Sequence, residues 1–159
     1  MTVIPKKLIM FDLDGTLAVS KQALDSEMAR LLCELLNHYK VCIISGGALP
    51  QFQKQVLMPM NASQEQLDNF VLMPTTSANV YLHENGELKR VFSAVMSEEE
   101  KKKITTYLEQ AIEFFHLRPE TAYGLLIEDR ETQISYSALG QLAPPELKAV
   151  WDPTGARRV

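Results

Sequence analysis

The sequence predicts an α/β fold in which a parallel β-sheet is followed by a smaller α+β module. Two short apolar segments with strand character, residues 8–11 and 41–44, flank a segment with helical periodicity, which is the pattern of a β-α-β unit. The first of these segments ends in two carboxylates, and open α/β sheets bind ligands at the carboxyl ends of their strands. After about residue 92 the pattern changes to a long helix followed by short alternating strands, which indicates a second module.

The composition is that of a globular protein without a nucleic-acid or membrane partner. The chain has 159 residues, of which 46% are hydrophobic, and this is enough for a sizeable core. Its net charge is −4 and it has no basic stripe, so nucleic acid is not an expected partner. No apolar stretch approaches the ~20 residues that span a bilayer, and no signal-peptide core precedes the first strand. We therefore expect a cytoplasmic protein, with Cys33 and Cys42 as core thiols.

The first predicted strand is continuously apolar, and we expect it to be buried within the sheet. If this strand continues through Asp12 and Asp14, both side chains project to the same side, because side chains alternate along a strand. Two like charges this close are unfavourable unless a cation lies between them, and carboxylate oxygens suit Mg²⁺. The alternative is a strand that simply ends in an Asp-Gly turn.

The first helix and the second strand complete the β-α-β unit. Asp25 is a candidate N-cap, and the apolar positions after it recur at helical spacing. The second strand, residues 41–44, is expected to lie parallel to the first through a right-handed crossover. The helical stripe consists of Met28, Leu31, Leu32, Leu35 and Leu36.

The next elements are shorter. A helix is predicted over residues 50–57, with proline near its first position, and a further helical turn over 64–69. Residues 70–73 are predicted to form a third strand. An Asn-Gly pair at 85–86 then predicts a hairpin between strands at 80–82 and 88–92.

The second module begins with a capping box. Ser97 followed by Glu100 predicts the start of a long helix whose apolar residues continue to Phe115. Residues 125–127 and 132–137 then alternate like two antiparallel strands. The predicted boundaries are residues 1–92 for the core and 93–159 for the module.

A second polar site follows the second strand. A hydroxyl at Ser45, backbone N–H groups of the turn that follows and a helix N-terminus together form a potential phosphate cradle. A Ser-Gly-Gly turn often only reverses the chain. Its place one β-α-β unit after Asp12 favours a functional role, because adjacent parallel strands end at the same edge of the sheet.

The segment Asp-Leu-Asp-Gly-Thr at residues 12–16 resembles the Asp-x-Asp-Gly-Thr signature of the haloacid dehalogenase (HAD) superfamily of phosphotransferases. The resemblance implies that Asp12 attacks phosphorus and that Asp14 is the general acid/base. It also implies that Mg²⁺ is bound at these two residues, by the carboxylate of Asp12 and the backbone carbonyl of Asp14. A carboxylate nucleophile and a neutralising cation suit phosphoryl transfer on independent grounds. The implied ligands of the phosphoryl oxygens are Gly15, Thr16, Ser45 and Gly46.

A narrower resemblance, strongest at residues 8–17 and 124–140, is to the eukaryotic-type phosphomannomutases and their bacterial relatives. It implies a Rossmann-like HAD core with an inserted α+β cap of type IIB, and a small phosphorylated substrate such as a sugar phosphate. By this resemblance Lys21 and Arg130 contact the substrate, whereas exposed basic residues are otherwise usually only solvated. The family's second cap arginine is replaced here by Gln141, which cannot supply a charged fork. The substitution favours a phosphatase over a mutase.

Two motifs of the family are not found. Neither the lysine that neutralises the phosphoryl group nor the late Gly-Asp-x-x-x-Asp motif is recognisable. The chain is therefore expected to be the N-terminal part of a longer protein, and a non-catalytic binding module is the alternative. An unpaired sheet edge and an exposed module face would also favour self-association as a homodimer.

Overall fold

The computed structural model describes residues 7–154. The chain divides into two compact units, one up to Val95 and one from Met96 onward. Among the described residues, none of the helices has the length and apolar character that crossing a membrane would require.

The first unit is built on a five-stranded sheet. Its strands are β1 (Leu8–Asp12), β2 (Lys40–Ile44), β3 (Phe70–Met73), β4 (Asn79–Glu84) and β5 (Glu87–Ser93), in that spatial order. The β1, β2 and β3 strands are parallel, whereas β4 and β5 continue the sheet as an antiparallel hairpin. The predicted α/β fold with a parallel sheet is therefore confirmed.

The register of the sheet places the acidic motif beside the Ser-Gly-Gly turn. Asp12, the last residue of β1, lies opposite Ile44, the last residue of β2. Ser45 follows Ile44 directly. The two sequence motifs therefore leave neighbouring strands at the same edge.

The prediction that the first strand is buried was wrong. Leu8 and Met10 are 46% and 51% exposed, while Phe11 packs against the core. The physical reason is that β1 is an edge strand of the sheet formed by the described residues, and only one of its faces is covered. A continuous apolar run cannot distinguish a strand covered on both faces from one covered on a single face.

The first helix, α1 (Ser26–Leu36), is capped as expected, with the carboxylate of Asp25 accepting a hydrogen bond from the N–H of Met28. Leu32 and Leu36 are buried, but Leu31 of the predicted stripe is 43% exposed.

A continuous helical run follows β2. It consists of α2 (Leu49–Phe52), a π-helical turn (Gln53–Leu57) and α3 (Met58–Met60). The run therefore extends past the predicted end at residue 57. Pro59 explains the π-helical turn, because a proline ring clashes with the carbonyl four residues earlier and has no N–H to donate to it. A wider turn, in which the N–H of Met58 reaches the carbonyl of Gln53, relieves this conflict.

The core of the first unit also anchors the loop that follows β1, residues 13–24, which we call the acidic loop. Leu13 is fully buried and Leu17 is 8% exposed, and both belong to the same hydrophobic cluster as α1 and the β2 side chains Val41 and Ile43. Burying a leucine side chain stabilises a fold by about 1.5–3 kcal/mol. The loop that carries the acids is thus fixed by leucines on either side of Asp14.

The remaining elements of the first unit lie close to the positions that the sequence predicted for them. The helix α4 (Gln64–Leu67) begins at a capping box on Ser63. Asn85 and Gly86 both have positive φ, as the tight turn between β4 and β5 requires. Cys33 and Cys42 are free thiols, and burial raises the pKa of Cys42 to about 11.

The second unit contains α5 (Glu98–Phe114), the antiparallel pair β6 (Ile127–Asp129) and β7 (Ile134–Tyr136), and α6 (Pro145–Trp151). The predicted capping box at Ser97 is confirmed. Among the apolar residues of α5, Ile112 is buried but Tyr107 is 68% exposed. The α6 helix was not predicted, although proline at its start and apolar residues at 147, 150 and 151 are helical signals.

The exposed face of β1 provides a test of self-association. We expect wild-type chains to associate at micromolar concentration, because apolar side chains and an open strand edge favour pairing with a second copy. Met10→Lys should weaken this association, whereas Leu31→Lys on α1 should not. Sedimentation velocity measures both. A wild-type monomer over the micromolar range would contradict the expectation.

Candidate active site

Asp12 lies at the exposed end of β1. Its Oδ2 accepts a hydrogen bond of 3.0 Å from the hydroxyl of Thr16. Its Oδ1 has no hydrogen bond from any described residue. One oxygen of this carboxylate is therefore held in place while the other is available to a ligand.

Asp14 is the centre of the polar network. Its Oδ1 accepts from the backbone N–H of Lys21 at 2.8 Å. Its Oδ2 accepts from the hydroxyl of Ser45 at 3.0 Å and lies 3.5 Å from Nε2 of Gln51. The two motifs that the sequence analysis expected at one edge of the sheet are thus in direct contact.

The loop after Asp14 is held by its own backbone. The carbonyl of Leu13 accepts from the N–H groups of Thr16, Leu17 and Ala18, and the N–H of Gly15 donates to Ala18 at 2.7 Å. Gly15 has φ +86°, a conformation that other residues rarely adopt. In this structure the N–H groups of Gly15 and Thr16 are therefore engaged within the loop.

Lys21 ends this loop in a left-handed conformation, with φ +61°. This conformation is unfavourable for a residue with a side chain. In this conformation the Lys21 N–H donates its hydrogen bond to Asp14. Lys21 as a whole is exposed.

The Ser45-Gly46-Gly47 turn is packed closely against its neighbours. Ser45 is buried, and its Oγ also accepts from the N–H of Gly47 at 3.3 Å. A Cβ at Gly47 would lie 2.5 Å from Oε1 of Gln51. Glycine at this position lets the carboxamide of Gln51 approach both the turn and Asp14.

Sequence reasoning missed two parts of this site. Gln51 contacts Asp14 through a fold-dependent approach, and no motif signals it. The loop after β3 was also missed. Its residues Thr75, Thr76 and Ser77 all have positive φ, and the N–H of Thr76 donates to the carbonyl of Ser45 at 2.9 Å. Consecutive strained residues of this kind cluster at functional sites.

Arg130 lies in the second unit, between β6 and β7. Its guanidinium contacts Oε2 of Glu128 at 2.6 Å, and its Nη2 lies 3.4 Å from Oε1 of Gln141. The Arg130 side chain is only 17% exposed. Glu128 therefore neutralises the charge that a phosphate would otherwise meet, and the glutamine at 141 is part of the same network.

The site around Asp12 and Asp14 offers only part of the ligand set that a divalent cation needs. Among the described residues, no group of three or more His, Cys, Asp or Glu side chains is placed to hold a metal ion. The carboxylate oxygens of Asp14 are engaged by the donors named above. The available oxygens at this edge are therefore Oδ1 of Asp12 and nearby backbone carbonyls.

No protein-family model matches the sequence, and no curated protein matches it significantly. Solved structures do resemble it. Plasmodium falciparum IMP-nucleotidase superposes with a TM-score of 0.59 at 18% identity, over 80% of this chain and 38% of that protein. Its N-terminally truncated, IMP-bound form has a TM-score of 0.59 at 17% identity, over 89% of this chain and 43% of the other.

A haloacid dehalogenase-like hydrolase from Bacillus subtilis also has a similar structure. It superposes with a TM-score of 0.51 at 20% identity, over 67% of this chain and 34% of that protein. This chain thus spans less than half the length of these proteins. At such low sequence identity, the structural similarity shows that the architecture is shared and nothing beyond it. The chain has the fold of haloacid dehalogenase-like hydrolases.

Proposed function

We propose that this chain carries the nucleophile end of a HAD-superfamily phosphohydrolase that acts on a small phosphorylated metabolite, such as a sugar phosphate. The observation that carries the proposal is the network at the sheet edge. There Asp14, which lies two residues after Asp12, is held by the hydroxyl of Ser45 and by the backbone N–H of Lys21. The fold shared with HAD-like hydrolases supports the same chemistry.

In the first step, the carboxylate of Asp12 attacks phosphorus, an Asp12–phosphorus bond forms and the bond to the leaving oxygen breaks. In its protonated form, Asp14 gives its proton to that leaving oxygen and becomes a carboxylate. In the second step, Asp14 takes a proton from water, the water oxygen attacks phosphorus, and the bond to Asp12 breaks. Free phosphate is released, and the Asp12 carboxylate and the protonated form of Asp14 are restored.

The remaining residues orient the phosphoryl group. When the substrate binds, the hydroxyl of Ser45 is proposed to turn from Asp14 to a phosphoryl oxygen, and the N–H of Gly46 is proposed to donate to another phosphoryl oxygen. Gly15 and Thr16 are proposed to shape the loop and to hold the Asp12 carboxylate, as the Thr16 hydroxyl does here. Lys21 is proposed to contact the substrate through its side chain.

Mg²⁺ is the proposed cofactor, held by the Asp12 carboxylate and the backbone carbonyl of Asp14. When bound, it would neutralise charge on the transferring phosphoryl group. The oxygen of Asp12 without a hydrogen-bond partner fits this role, since Mg²⁺ prefers oxygen ligands and retains several waters.

Hydrolysis is favoured over mutase activity by the network around Arg130. A mutase must hold a second phosphate while the substrate reverses its orientation in the site, and this requires more than one charged side chain that grips phosphate. Here one arginine position is a glutamine that lies beside Arg130. Water is therefore the proposed acceptor of the phosphoryl group.

The function is tested by phosphate release from hexose 1- and 6-phosphates, IMP and p-nitrophenyl phosphate. The assay uses this chain and the longest protein that its gene encodes, with Mg²⁺ and after chelation by EDTA. We expect release that depends on Mg²⁺ and is restored by adding it back. Isomerisation of mannose phosphate stimulated by a hexose bisphosphate, with no release of phosphate, would show the mutase instead. No turnover by either protein would contradict both.

Arg130 is proposed to clamp the substrate, and its contact with Glu128 makes this testable in two directions. In an active protein, Arg130→Ala should raise KM for a sugar phosphate by the equivalent of about 1.5–3 kcal/mol, the value of a hydrogen bond to a charged group. Glu128→Gln should lower KM, because it frees the guanidinium from a carboxylate. Steady-state kinetics on p-nitrophenyl phosphate is the control, since its aryl group offers nothing for Arg130 to select. An equal rise in KM for both substrates would indicate that Arg130 stabilises its own unit and does not select the substrate.

A further inference from the structure

The strongest unexplained feature is a buried glutamine in the π-helical turn. Gln55 is only 3% exposed, and no sequence motif singles it out. Its Nε2 donates a short hydrogen bond of 2.6 Å to the carbonyl of Gln22. Its backbone carbonyl accepts from the N–H of Leu24 at 2.8 Å. One residue thus holds the loop after Asp14 at two points.

The sequence explains why the carbonyl of Gln55 is available for this contact. In an α-helix the carbonyl of residue 55 would accept from the N–H of residue 59, but residue 59 is proline and has no N–H. The N–H of Leu24 takes the place of that donor. Pro59 therefore both widens the helix and directs a backbone acceptor toward the loop.

The segment held by Gln55 is the one that reaches Asp14. Gln22 and Leu24 closely follow Lys21, whose N–H donates to Asp14 from a left-handed conformation. An unfavourable conformation persists only where surrounding contacts fix it. The two hydrogen bonds to Gln55, together with the burial of the Leu24 side chain, supply such contacts immediately after Lys21.

The side chain of Gln55 is not optimised for stability alone. Its Oε1 is buried and has no hydrogen-bond partner among the described residues. A buried amide oxygen in this state is unfavourable, and an apolar side chain of similar length would avoid the penalty. Glutamine at this position is therefore better explained by what its Nε2 holds than by packing.

We propose that Gln55 is a positioning residue that fixes residues 21–24 so that the Lys21 N–H remains on the Asp14 carboxylate. This inference rests on the proposed function for its catalytic consequence, but its structural part can be tested without activity. Gln55 itself does not contact Asp14 in this arrangement; it acts through the loop.

The test is amide hydrogen exchange by NMR on the full chain. In the wild type, the Leu24 N–H and the Gln55 side-chain amide should exchange slowly, and this requires no variant. In Gln55→Met the Lys21 N–H should exchange about tenfold faster, because a hydrogen bond that orders its loop is lost. Gln53→Met is the matched control, since Gln53 lies in the same turn and is exposed. It should leave Lys21 unchanged.

Two further readouts separate positioning from stability. The midpoint of thermal unfolding of Gln55→Met should equal or exceed that of the wild type, because the unpaired oxygen is removed together with the donor. In an active protein kcat should fall several-fold with little change in KM. Unchanged Lys21 exchange in Gln55→Met, or fast exchange of the Gln55 amide in the wild type, would overturn the inference. Altered exchange with no phosphate release by any protein would instead reject the proposed function and leave the loop assignment supported.

Discussion

Asp12→Asn is expected to abolish phosphate release, by about 10³-fold or more in kcat, as is typical when a covalent nucleophile is removed. The amide keeps the shape of the carboxylate but has neither its charge nor its nucleophilicity. Steady-state kinetics on p-nitrophenyl phosphate measures the effect in whichever protein proves active.

The fold should tolerate this change. Asparagine retains an oxygen that can accept from the hydroxyl of Thr16, and Asp12 is exposed at the end of its strand. The free energy of unfolding should therefore change by less than about 1 kcal/mol. Asp68→Asn is the matched control, because Asp68 is also exposed and accepts a single side-chain hydrogen bond, from Gln64. Activity of Asp12→Asn within tenfold of wild type would show that another residue attacks phosphorus.

Asp14→Asn should also be severe, but at a different step. Attack by Asp12 on an aryl phosphate needs little help from an acid, because the leaving group is already stable as an anion. Hydrolysis of the aspartyl-phosphate needs a base, and asparagine cannot supply one. The variant should therefore give a rapid burst of p-nitrophenol, at most one equivalent per protein, followed by very slow turnover. Stopped-flow absorbance measures the burst.

The burst distinguishes Asp14 as a base from Asp14 as a structural anchor. The amide introduced by Asp14→Asn would retain one oxygen for the Lys21 N–H or the Ser45 hydroxyl, but not both acceptors of the carboxylate. Ser45→Ala removes one of these hydrogen bonds and leaves the carboxylate in place. It should slow the reaction without producing a burst. A burst of the same size in both variants would argue that loosening the network, and not loss of the base, limits the second step.

Local rules predicted the parts of the fold that depend on neighbouring residues. The caps at Asp25 and Ser97 and the turn at Asn85-Gly86 are each determined within a few residues, and the structure confirms them. The meeting of Asp14 with Ser45 was also predictable, because parallel strands joined by a crossover end at the same edge.

Features that depend on distant packing were not predictable in the same way. An apolar run does not reveal how many faces of a strand are covered, so the exposure of Leu8 and Met10 was missed. Gln51 and Gln55 reach the acidic loop only after the helical run has packed against it. The signal for the altered helix was nevertheless present in Pro59, whose effect on residue 55 follows from the missing N–H alone.

The measurement that tests the central claim most directly is the location of the phosphoryl group in Asp14→Asn. The variant is mixed with p-nitrophenyl phosphate, quenched in acid, digested and analysed by tandem mass spectrometry. We predict one phosphoryl group on Asp12, labile to hydroxylamine as an acyl phosphate is, and none in the double variant that also carries Asp12→Asn. A phosphoryl group on any other residue, or turnover by the wild type without a phosphoryl group trapped in the variant, would contradict the assignment of Asp12 as nucleophile.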